Sequence, residues 1–415
     1  MNKVKRYIPE KVYEKIQELD YKNKEHLYVI SDMIYRATIF RKEDKNYSNS
    51  FIDIPKFYFR DLICDSKSLS NAFSILKSSG VIQCDNVYSK ESGKALGYRF
   101  SDEMISKLMS IGLEKKTISR KIIKNRNERN NAVNERLHKY RDFYLSNFKI
   151  DYDSALEHLD KWYNYSISYT PSYVGGILNP DMIKILNKYN HIFMSISAIK
   201  DGDLYFRKNA TNGRIDTNLT SLKGEYRKFI ISEKKLVQID IVNSQPFMLG
   251  LYLINKFGDC LDNKSLKAEI DKYIGWTSAG IFYERFEKTY FNKTGKALTR
   301  KDIKNIMFSI FYSKNGSYRK EKNIFKSMFP LIMDFIEKEK KNKHNEFAIK
   351  LQRIESKICL DVICKELDEL GVYYYTIHDA WIVDEDRREE VEKIIIRKFN
   401  ENFYRRPELN IEKIN

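Results

Sequence analysis

The sequence predicts an α+β protein, and three observations along the chain indicate this class. The first hundred residues alternate short β-rich runs with helical stretches. From about residue 144 to 200, after a basic stretch, the pattern is mostly helical. Beyond residue 200, short β-rich runs alternate with long helices, as they do in α+β domains. We therefore predict three domains, at residues 1–110, 111–200 and 201–415.

The composition favours a folded protein with an anionic partner. The chain has 415 residues, of which 42% are hydrophobic and 13% aromatic, enough for several folded cores. Lys and Arg total 74 against 57 Asp and Glu, a formal net charge of +17. Such a balance attracts polyanions, of which nucleic acid is the commonest soluble one. Lys, Asn, Ile and Tyr are abundant throughout, as an AT-rich coding sequence produces, so the charge alone leaves nucleic-acid binding open.

The cysteines and the apolar runs indicate a cytoplasmic setting. The five cysteines include no C-x-x-C pair, and Cys359 and Cys364 lie in an apolar helical stretch that favours packing over a zinc site. The first ten residues lack the apolar run of a secretory leader. No window reaches the apolar length of a membrane span. We expect a cytoplasmic protein in a reducing compartment.

The order of elements in the first hundred residues is typical of a winged helix-turn-helix. Three helices are expected at His26–Phe40, Lys56–Cys64 and Lys67–Ser79, and short strands at Phe51–Pro55, Val81–Cys84 and Tyr98–Phe100. In such a module the third helix enters the major groove with its N-terminal residues leading. The residues expected to contact duplex DNA are Lys67, Ser68, Ser70 and Asn71 on this helix and Lys90 and Lys94 on the wing. A winged helix that binds another protein is the alternative.

The range 111–200 opens with a strongly basic stretch. Lysine and arginine crowd residues 114–141, and few apolar side chains interrupt them. The stretch is predicted either to grip a phosphate backbone or to serve as a solvated helical linker.

Two aspartates lie in apolar strand patterns far apart in the chain. Asp240 is embedded in the apolar run 235–249, and Asp379 follows His378 between two apolar strands in the run 372–384, which predicts a hairpin with Asp379 at its tip. A carboxylate in an apolar strand is costly unless it is paired or binds metal. Two such carboxylates on adjacent strands can hold two divalent ions about 3.5–4 Å apart. Oxygen ligands favour Mg²⁺, with Mn²⁺ as the alternative ion.

A helix predicted over residues 298–312 has an unusual polar stripe. Arg300, Lys304, Phe308 and Tyr312 recur every four residues and therefore share one side of the helix. Two cations followed by two aromatic rings suit a nucleoside triphosphate, with the cations on the phosphates and the rings on sugar and base. The alternative is an ordinary core stripe with solvated lysines.

An earlier segment, residues 211–230, completes the pattern. It begins with a turn at Asn212-Gly213 and continues as an extended run that starts at Arg214. An arginine there can hydrogen-bond the minor-groove side of a duplex or its phosphates. The alternative is a surface hairpin.

Taken in their order along the chain (residues 211–230, 235–249, 298–312 and 372–384), the four segments resemble the motifs of family A DNA polymerases. They also resemble those of the relatives of this family, the single-subunit phage-type RNA polymerases. The resemblance covers roughly residues 200–390. It implies a right-hand polymerase palm and fingers with a helical thumb-like region, and it implies catalysis at Asp240 and Asp379, with metal binding by these two residues and Ile241. It further implies nucleotide binding by Arg300, Lys304, Phe308, Tyr312 and Gln245, and template-primer binding by Arg214, Asn218 and His378.

Some residues depart from the family pattern. Phe308 matches the aromatic residue of the DNA-making members, but Gln245 stands where they place a glutamate and Ser313 replaces a glycine. The expected activity is DNA synthesis on a DNA template and primer from nucleoside triphosphates. Primer or RNA synthesis stays open, and so does a non-catalytic DNA-binding replication initiator. The pairing with a winged helix indicates replication of a plasmid, phage or other mobile element.

Overall fold

The computed structural model describes residues 3–40, 50–63, 65–174, 177–258 and 263–415. Cys64 and Cys260 lie outside these ranges. The helices are α1 (Glu10–Glu18), α2 (Lys24–Phe40), α3 (Lys56–Arg60), α4 (Ser66–Ser78), α5 (Lys116–Asn131), α6 (His138–Asn147), α7 (Tyr152–Ser168), α8 (Pro180–Lys200), α9 (Asn218–Ser221), α10 (Ser244–Phe257), α11 (Lys264–Ser278), α12 (Phe282–Thr294), α13 (Arg300–Tyr312), α14 (Arg319–Met328), α15 (Pro330–Glu339), α16 (His344–Ser356), α17 (Cys364–Glu369) and α18 (Arg388–Phe403). The strands are β1 (Lys5–Pro9), β2 (Ile52–Asp53), β3 (Ile82–Cys84), β4 (Gly97–Phe100), β5 (Leu108–Gly112), β6 (Tyr173–Val174), β7 (Ile177–Leu178), β8 (Phe206–Lys208), β9 (Ile215–Thr217), β10 (Leu236–Ile241), β11 (Tyr374–Ile377), β12 (Ala380–Asp384) and β13 (Leu409–Lys413).

The chain forms two compact units, each assembled from three segments. The first unit contains Met1–Ala132, Asn147–Tyr205 and Ser221–Ile231, and the second contains Val133–Ser146, Phe206–Thr220 and Ser232–Asn415. The domain limits expected at residues 110 and 200 stay predictions. None of the described helices has the length and apolar composition needed to cross a membrane.

From α2 to β4, the first unit has helices and strands in the order that the sequence predicts, whereas β1 and α1, which precede them, were not predicted. Its three-stranded antiparallel sheet has the order β2-β4-β3. Helix α4 begins at Asp65, whose carboxylate accepts hydrogen bonds from two backbone N–H groups of the first turn at 3.0 and 2.9 Å. Its buried face comprises Leu69, Ala72, Phe73 and Leu76, at the spacing of one helix side. Helix α3 ends at Arg60, earlier than predicted, since the chain turns there before the cap of α4.

The second unit is built on a four-stranded antiparallel sheet with the order β11-β12-β10-β13. Strand β10 is central because its apolar residues alternate with half-buried polar ones and pair on both sides. Helix α18 packs against this sheet, and the Phe399 ring on it lies 5.6 Å from the Phe247 ring on α10. The two strands β11 and β12 form the predicted hairpin, with residues 378 and 379 as its two-residue turn.

Helices α10 to α16 of the second unit enclose a separate aromatic core. Its centre includes Tyr273, Phe282 and Phe329, whose rings contact one another at 5.1 to 6.2 Å. Helix α10 begins at Ser244, although the sequence predicts a start at Phe247. The difference arises because Pro246 occupies the first turn, where a helix has no need of the missing N–H.

Candidate active site

The two aspartates predicted to hold metal lie on neighbouring strands of the same sheet. Strand β10 pairs with β12 so that Asp240 is opposite Ala380, the residue after Asp379. The backbone N–H of Ile241 donates a hydrogen bond of 3.3 Å to the carbonyl oxygen of Asp379. Both aspartates are half-buried. The sheet register therefore places on neighbouring strands two aspartates that are 139 positions apart in the sequence (379 minus 240).

The tight hairpin turn requires an unusual backbone at His378. This residue has a φ of 58°, in the left-handed region that a non-glycine side chain rarely adopts. Two-residue hairpin turns of this kind match the twist of the flanking strands. Because the hydrogen-bonded strands fix the turn on both sides, Asp379 is held at the sheet edge with little freedom of the backbone.

A tyrosine on α12 responds to both carboxylates. Tyr283 is buried, with 6% of its surface exposed, and its pKa is raised mainly by burial and then by the charge of Asp379. The charge of Asp240 acts in the same direction, and that of Arg300 opposes it. The Tyr283 hydroxyl is therefore close enough to Asp240, Asp379 and Arg300 for the charge of each to affect its pKa.

The stripe on α13 lies at the margin of the core, against which Tyr312 packs. Arg300 and Lys304 are exposed, Phe308 and Tyr312 are half-buried, and the opposite side of the helix supplies the core residues Ile303, Met307, Ile310 and Phe311. The rings of Phe308 and Tyr312 stack at 5.6 Å with an interplanar angle of 18°. The Lys304 ammonium lies 5.9 Å from the Phe308 ring, and Arg300 pairs weakly with Glu284 at 3.5 Å. The helix thus presents two cations and a stacked ring pair on one accessible side.

The N-terminus of α13 is fixed by its own sequence. The Thr299 hydroxyl accepts a hydrogen bond from the backbone N–H of Asp302, and the Asp302 carboxylate accepts one from the backbone N–H of Thr299. This reciprocal capping box sets where the helix, and with it the stripe, begins.

A buried glutamate near the end of α16 links several of the predicted site residues. Glu355 has 0% of its surface exposed. Its Oε1 atom accepts from Arg214 Nε at 2.7 Å and pairs with Arg214 Nη2 at 2.6 Å. Its Oε2 atom accepts from Ser244 Oγ at 3.3 Å and from the Gln245 side-chain nitrogen. The Tyr312 hydroxyl in turn donates to the Gln245 side-chain oxygen.

The environment of Glu355 makes its ionisation costly. Burial is the main reason that the pKa of Glu355 is raised to about 8, and the nearby charge of Asp379 adds to this effect. The hydrogen bonds from Arg214 and Ser244 act in the opposite direction. The pKa of Tyr312 is also raised, by burial first and then by the charge of Glu355. The region is therefore rich in negative charge that a cation would relieve.

The donor set fits a divalent ion that is shared with a substrate. Among the described ranges there is no group of three or more His, Cys, Asp or Glu side chains able to hold a metal ion. Asp240 and Asp379 supply two carboxylates, and the backbone carbonyl of the buried Ile241 lies beside them in the strand. Mg²⁺ is commonly bound by one or two carboxylates and completed by water and substrate phosphates. A pair of aspartates is thus sufficient for magnesium that arrives with a nucleotide.

The residues predicted to contact template and primer have different surroundings. Arg214 directs its Nε and Nη2 atoms at Glu355, and 16% of its side chain is exposed. Asn218 is buried at the start of α9, where the next N–H group, that of Leu219, donates to the Tyr144 hydroxyl at 3.2 Å. His378 is half-buried in the hairpin turn. Arg214 is therefore committed mainly to the glutamate, and a role for all three on nucleic acid stays a prediction.

In the first unit, the residues predicted to contact duplex DNA are mostly exposed. Lys67, Ser70 and Asn71 on α4 and Lys90 on the wing are exposed, and Ser68 is half-buried. Lys94 differs, because its ammonium lies 3.2 Å from the Asp85 carboxylate. The charge of Lys94 is thus partly neutralised within the wing.

The basic stretch forms α5, a separate 3-10 turn and α6 in place of one continuous element. Arg126 on α5 donates to Asp203 at 3.1 Å and to the Gly202 carbonyl at 3.0 Å. Lys124 pairs with Glu128 at 3.7 Å on the exposed side of the helix. Part of this basic charge therefore stabilises the first unit itself.

Two members of the site were not identified from the sequence. Tyr283 lies in an ordinary amphipathic helix, and Glu355 lies at a helix end where no local pattern distinguishes it from a solvated glutamate. The sequence contains one indication of Glu355. It is the first residue of the stretch 355–365, which loosely resembles the helix that precedes the second metal-binding motif in family A DNA polymerases.

Comparison with known proteins gives a limited result. No protein-family model matches the chain, and no curated protein matches it. Among solved structures, the fold is similar to the POL domain of Pol1 from M. smegmatis in complex with DNA primer-template and dNTP. The TM-score is 0.47 at 9% sequence identity, with 72% of each chain covered. A similarity of this size establishes no shared function, and the proposal below depends on contacts within this chain.

Proposed function

We propose that the protein is a template-directed DNA polymerase that joins nucleotides by a two-metal mechanism. The observation that carries this proposal is the register of β10 with β12, which puts Asp240 beside Asp379 in the unit that also contains the cationic and aromatic stripe of α13. Carboxylate pairs on adjacent strands suit two divalent ions at a phosphoryl-transfer centre. Arg300 and Lys304 add positive charge for the triphosphate.

The residues of this chain have separate tasks in the proposed reaction. Asp240, the Ile241 carbonyl and Asp379 would hold two magnesium ions, which would supply Lewis acidity at the attacking 3′-hydroxyl and at the leaving pyrophosphate. Arg300 and Lys304 bind the β- and γ-phosphates. The stacked rings of Phe308 and Tyr312 cover the base and sugar of the incoming nucleotide and exclude water from them.

Primer or RNA synthesis is the second candidate, and one residue favours it. Gln245 is an uncharged amide at the position where DNA-making relatives resembled by this chain have a glutamate. An amide both donates and accepts hydrogen bonds, whereas an ionised carboxylate only accepts them. An amide that is free to turn can therefore pair with a ribose 2′-hydroxyl in either direction. Parallel incorporation assays with dNTPs and NTPs, on primed and unprimed DNA templates, separate the two candidates. Ribonucleotide joining without a primer, with dNTPs refused, would contradict the DNA assignment.

The main test replaces each aspartate by its isosteric amide. Asp240→Asn and Asp379→Asn each remove one anionic metal ligand, and we expect primer extension with Mg²⁺ to fall by about 10³-fold or more, since metal-held phosphoryl transfer depends on that charge. Asp271→Asn is the matched control, because Asp271 is exposed on α11 of the same unit. Duplex binding should be unchanged in all three proteins. Full activity in both site variants would remove the proposed metal centre.

We further propose that the first unit recognises duplex DNA and that the protein replicates a plasmid, phage or other mobile element. The support is the exposed N-terminal turn of α4 together with the exposed Lys90. A non-catalytic initiator would bind DNA equally well, and the absence of any nucleotide incorporation by the parent protein would favour it.

A further inference from the structure

A buried chain of hydrogen bonds leads from Arg214 to the accessible side of α13. Arg214 donates to one oxygen of Glu355, Gln245 donates to the other, and Tyr312 donates to Gln245. Glu355 has no exposed surface, so its carboxylate depends on these partners and on Ser244 for hydrogen bonds. Removal of one member of a buried polar network leaves its hydrogen-bonding partners unsatisfied. A substitution at one residue can therefore change the orientation of the others.

The network permits one orientation of the Gln245 amide while Glu355 is ionised. A carboxylate only accepts hydrogen bonds, and therefore the amide nitrogen must be directed toward Glu355. The amide oxygen is then directed toward Tyr312, whose hydroxyl donates to it. Both ends of the amide are engaged, and the side chain cannot turn without breaking two hydrogen bonds.

The position of this amide relative to the proposed substrate is set by its neighbours. Gln245 follows Asp240 by five residues and contacts Tyr312, the last residue of the stripe. In the proposed reaction the α-phosphate lies at the aspartates, and the base lies against Phe308 and Tyr312. The sugar connects these two groups, and Gln245 therefore lies beside it.

We propose that Glu355 is a positioning residue for sugar selection, which locks the Gln245 amide so that it cannot turn to hydrogen-bond a ribose 2′-hydroxyl. This inference rests on the proposed function and adds a residue to it. While Gln245 is locked, a ribose 2′-hydroxyl cannot draw the amide groups that are bonded to Glu355 and Tyr312 into a hydrogen bond of its own, whereas deoxyribose has no such group to satisfy. Selectivity then comes from the rigidity of the amide as well as from its bulk.

The test measures single-nucleotide incorporation of dATP and ATP on one primed DNA template, at about pH 9, above the pKa of Glu355. The variants are Glu355→Gln, Tyr312→Phe and the double variant, with Glu346→Gln as the control on the exposed side of the same helix. In Glu355→Gln, Arg214 still requires an acceptor, and the oxygen of the new amide is therefore directed at Arg214. The nitrogen of the new amide is then directed at the side-chain nitrogen of Gln245. Two donors then oppose each other, and Gln245 must turn.

We expect the ratio of kcat/KM for dATP to that for ATP to fall about tenfold in Glu355→Gln, the effect of one charge-assisted hydrogen bond. Most of the change should be a gain with ATP. Tyr312→Phe should lower the ratio in the same direction, and the double variant should fall no further than the larger single effect, since both act through one side chain. The control should keep the parent ratio.

The alternative outcomes lead to separate conclusions. An active Glu355→Gln protein with an unchanged ratio overturns the inference, and so does an equal loss with both nucleotides, which indicates a structural role alone. If Glu355→Gln does not fold, an unchanged ratio in Tyr312→Phe overturns it equally. A parent protein that incorporates neither nucleotide refutes the proposed function itself, and with it the role of Glu355.

Discussion

A buried lysine that follows α15 and contacts the end of α13 gives a prediction that requires no assay of activity. Lys340 has 3% of its surface exposed, and its ammonium donates to the Ile310 carbonyl in the last turn of α13 at 2.7 Å. Burial lowers the pKa of Lys340 to about 7, and the positive charge of Lys322 adds to this effect. The nearby Glu337 acts in the opposite direction. The cost of burying this ammonium should therefore appear as a pH dependence of stability.

The sign follows from the two protonation states. Between about pH 7 and the ordinary pKa of lysine, 10.5, the unfolded chain keeps a proton on Lys340 that the folded protein releases. The free energy of unfolding must then rise with pH across this window. Each pH unit contributes about 1.36 kcal/mol, so the step from pH 7 to pH 9 gives about 2.7 kcal/mol.

Replacement of Lys340 by Met removes this contribution while it keeps most of the side-chain volume. We expect the stability of Lys340→Met relative to the parent to decrease by about 2.7 kcal/mol between pH 7 and pH 9. Urea unfolding at several pH values measures the difference. Lys341→Met is the matched control, since Lys341 is exposed and adjacent. Parallel pH profiles of parent and Lys340→Met would show that the lysine is charged and solvated in the folded protein, contrary to its burial.

The remaining predictions concern the DNA module and a tight turn. Lys67→Ala together with Lys90→Ala should reduce the slope of log K against log salt for duplex binding by about 1.8, since each phosphate contact contributes about 0.9. Lys94→Ala should change the slope less because Asp85 already neutralises it, and equal effects of all three would contradict that pairing. Gly213→Ala should lower the free energy of unfolding by about 1–2 kcal/mol, since φ is +77° and the added Cβ would lie 2.9 Å from the hydroxyl oxygen at the end of α16. Unchanged thermal unfolding of that variant would mean that the turn relaxes without cost.

Local sequence patterns were sufficient for the elements that carry the proposed metal and nucleotide contacts. Asp240 stands in a strand because apolar residues surround it, and the hairpin around Asp379 follows from two apolar runs separated by two residues. The capping box at Thr299 fixes the start of α13. These features depend on residues within a few positions of one another, which is the range that a sequence pattern describes.

The contacts of Arg214 and Glu355 depend on tertiary structure and were not predictable in the same way. Their ion pair joins residues 141 positions apart, and neither lies in a pattern that demands a partner. An arginine after a turn has the same appearance in a sequence whether it binds a phosphate or a buried carboxylate. The role expected for Arg214 on nucleic acid therefore stays a prediction, and its ion pair with Glu355 is a contact that the sequence did not indicate.

In the proposed function, a basic protein binds an anionic nucleotide beside a group of carboxylates. Asp240, Asp379 and Glu355 oppose one another, as the raised pKa values of Glu355 and Tyr283 indicate. An anionic triphosphate would be repelled by these groups unless positive charge arrived with it. In the proposed reaction, divalent ions shared by the aspartates and the phosphates would supply that charge at the reacting end, and the cations of α13 would supply it at the far end. Nucleotide binding and metal binding must then be coupled, because neither ligand alone balances the charge of the site.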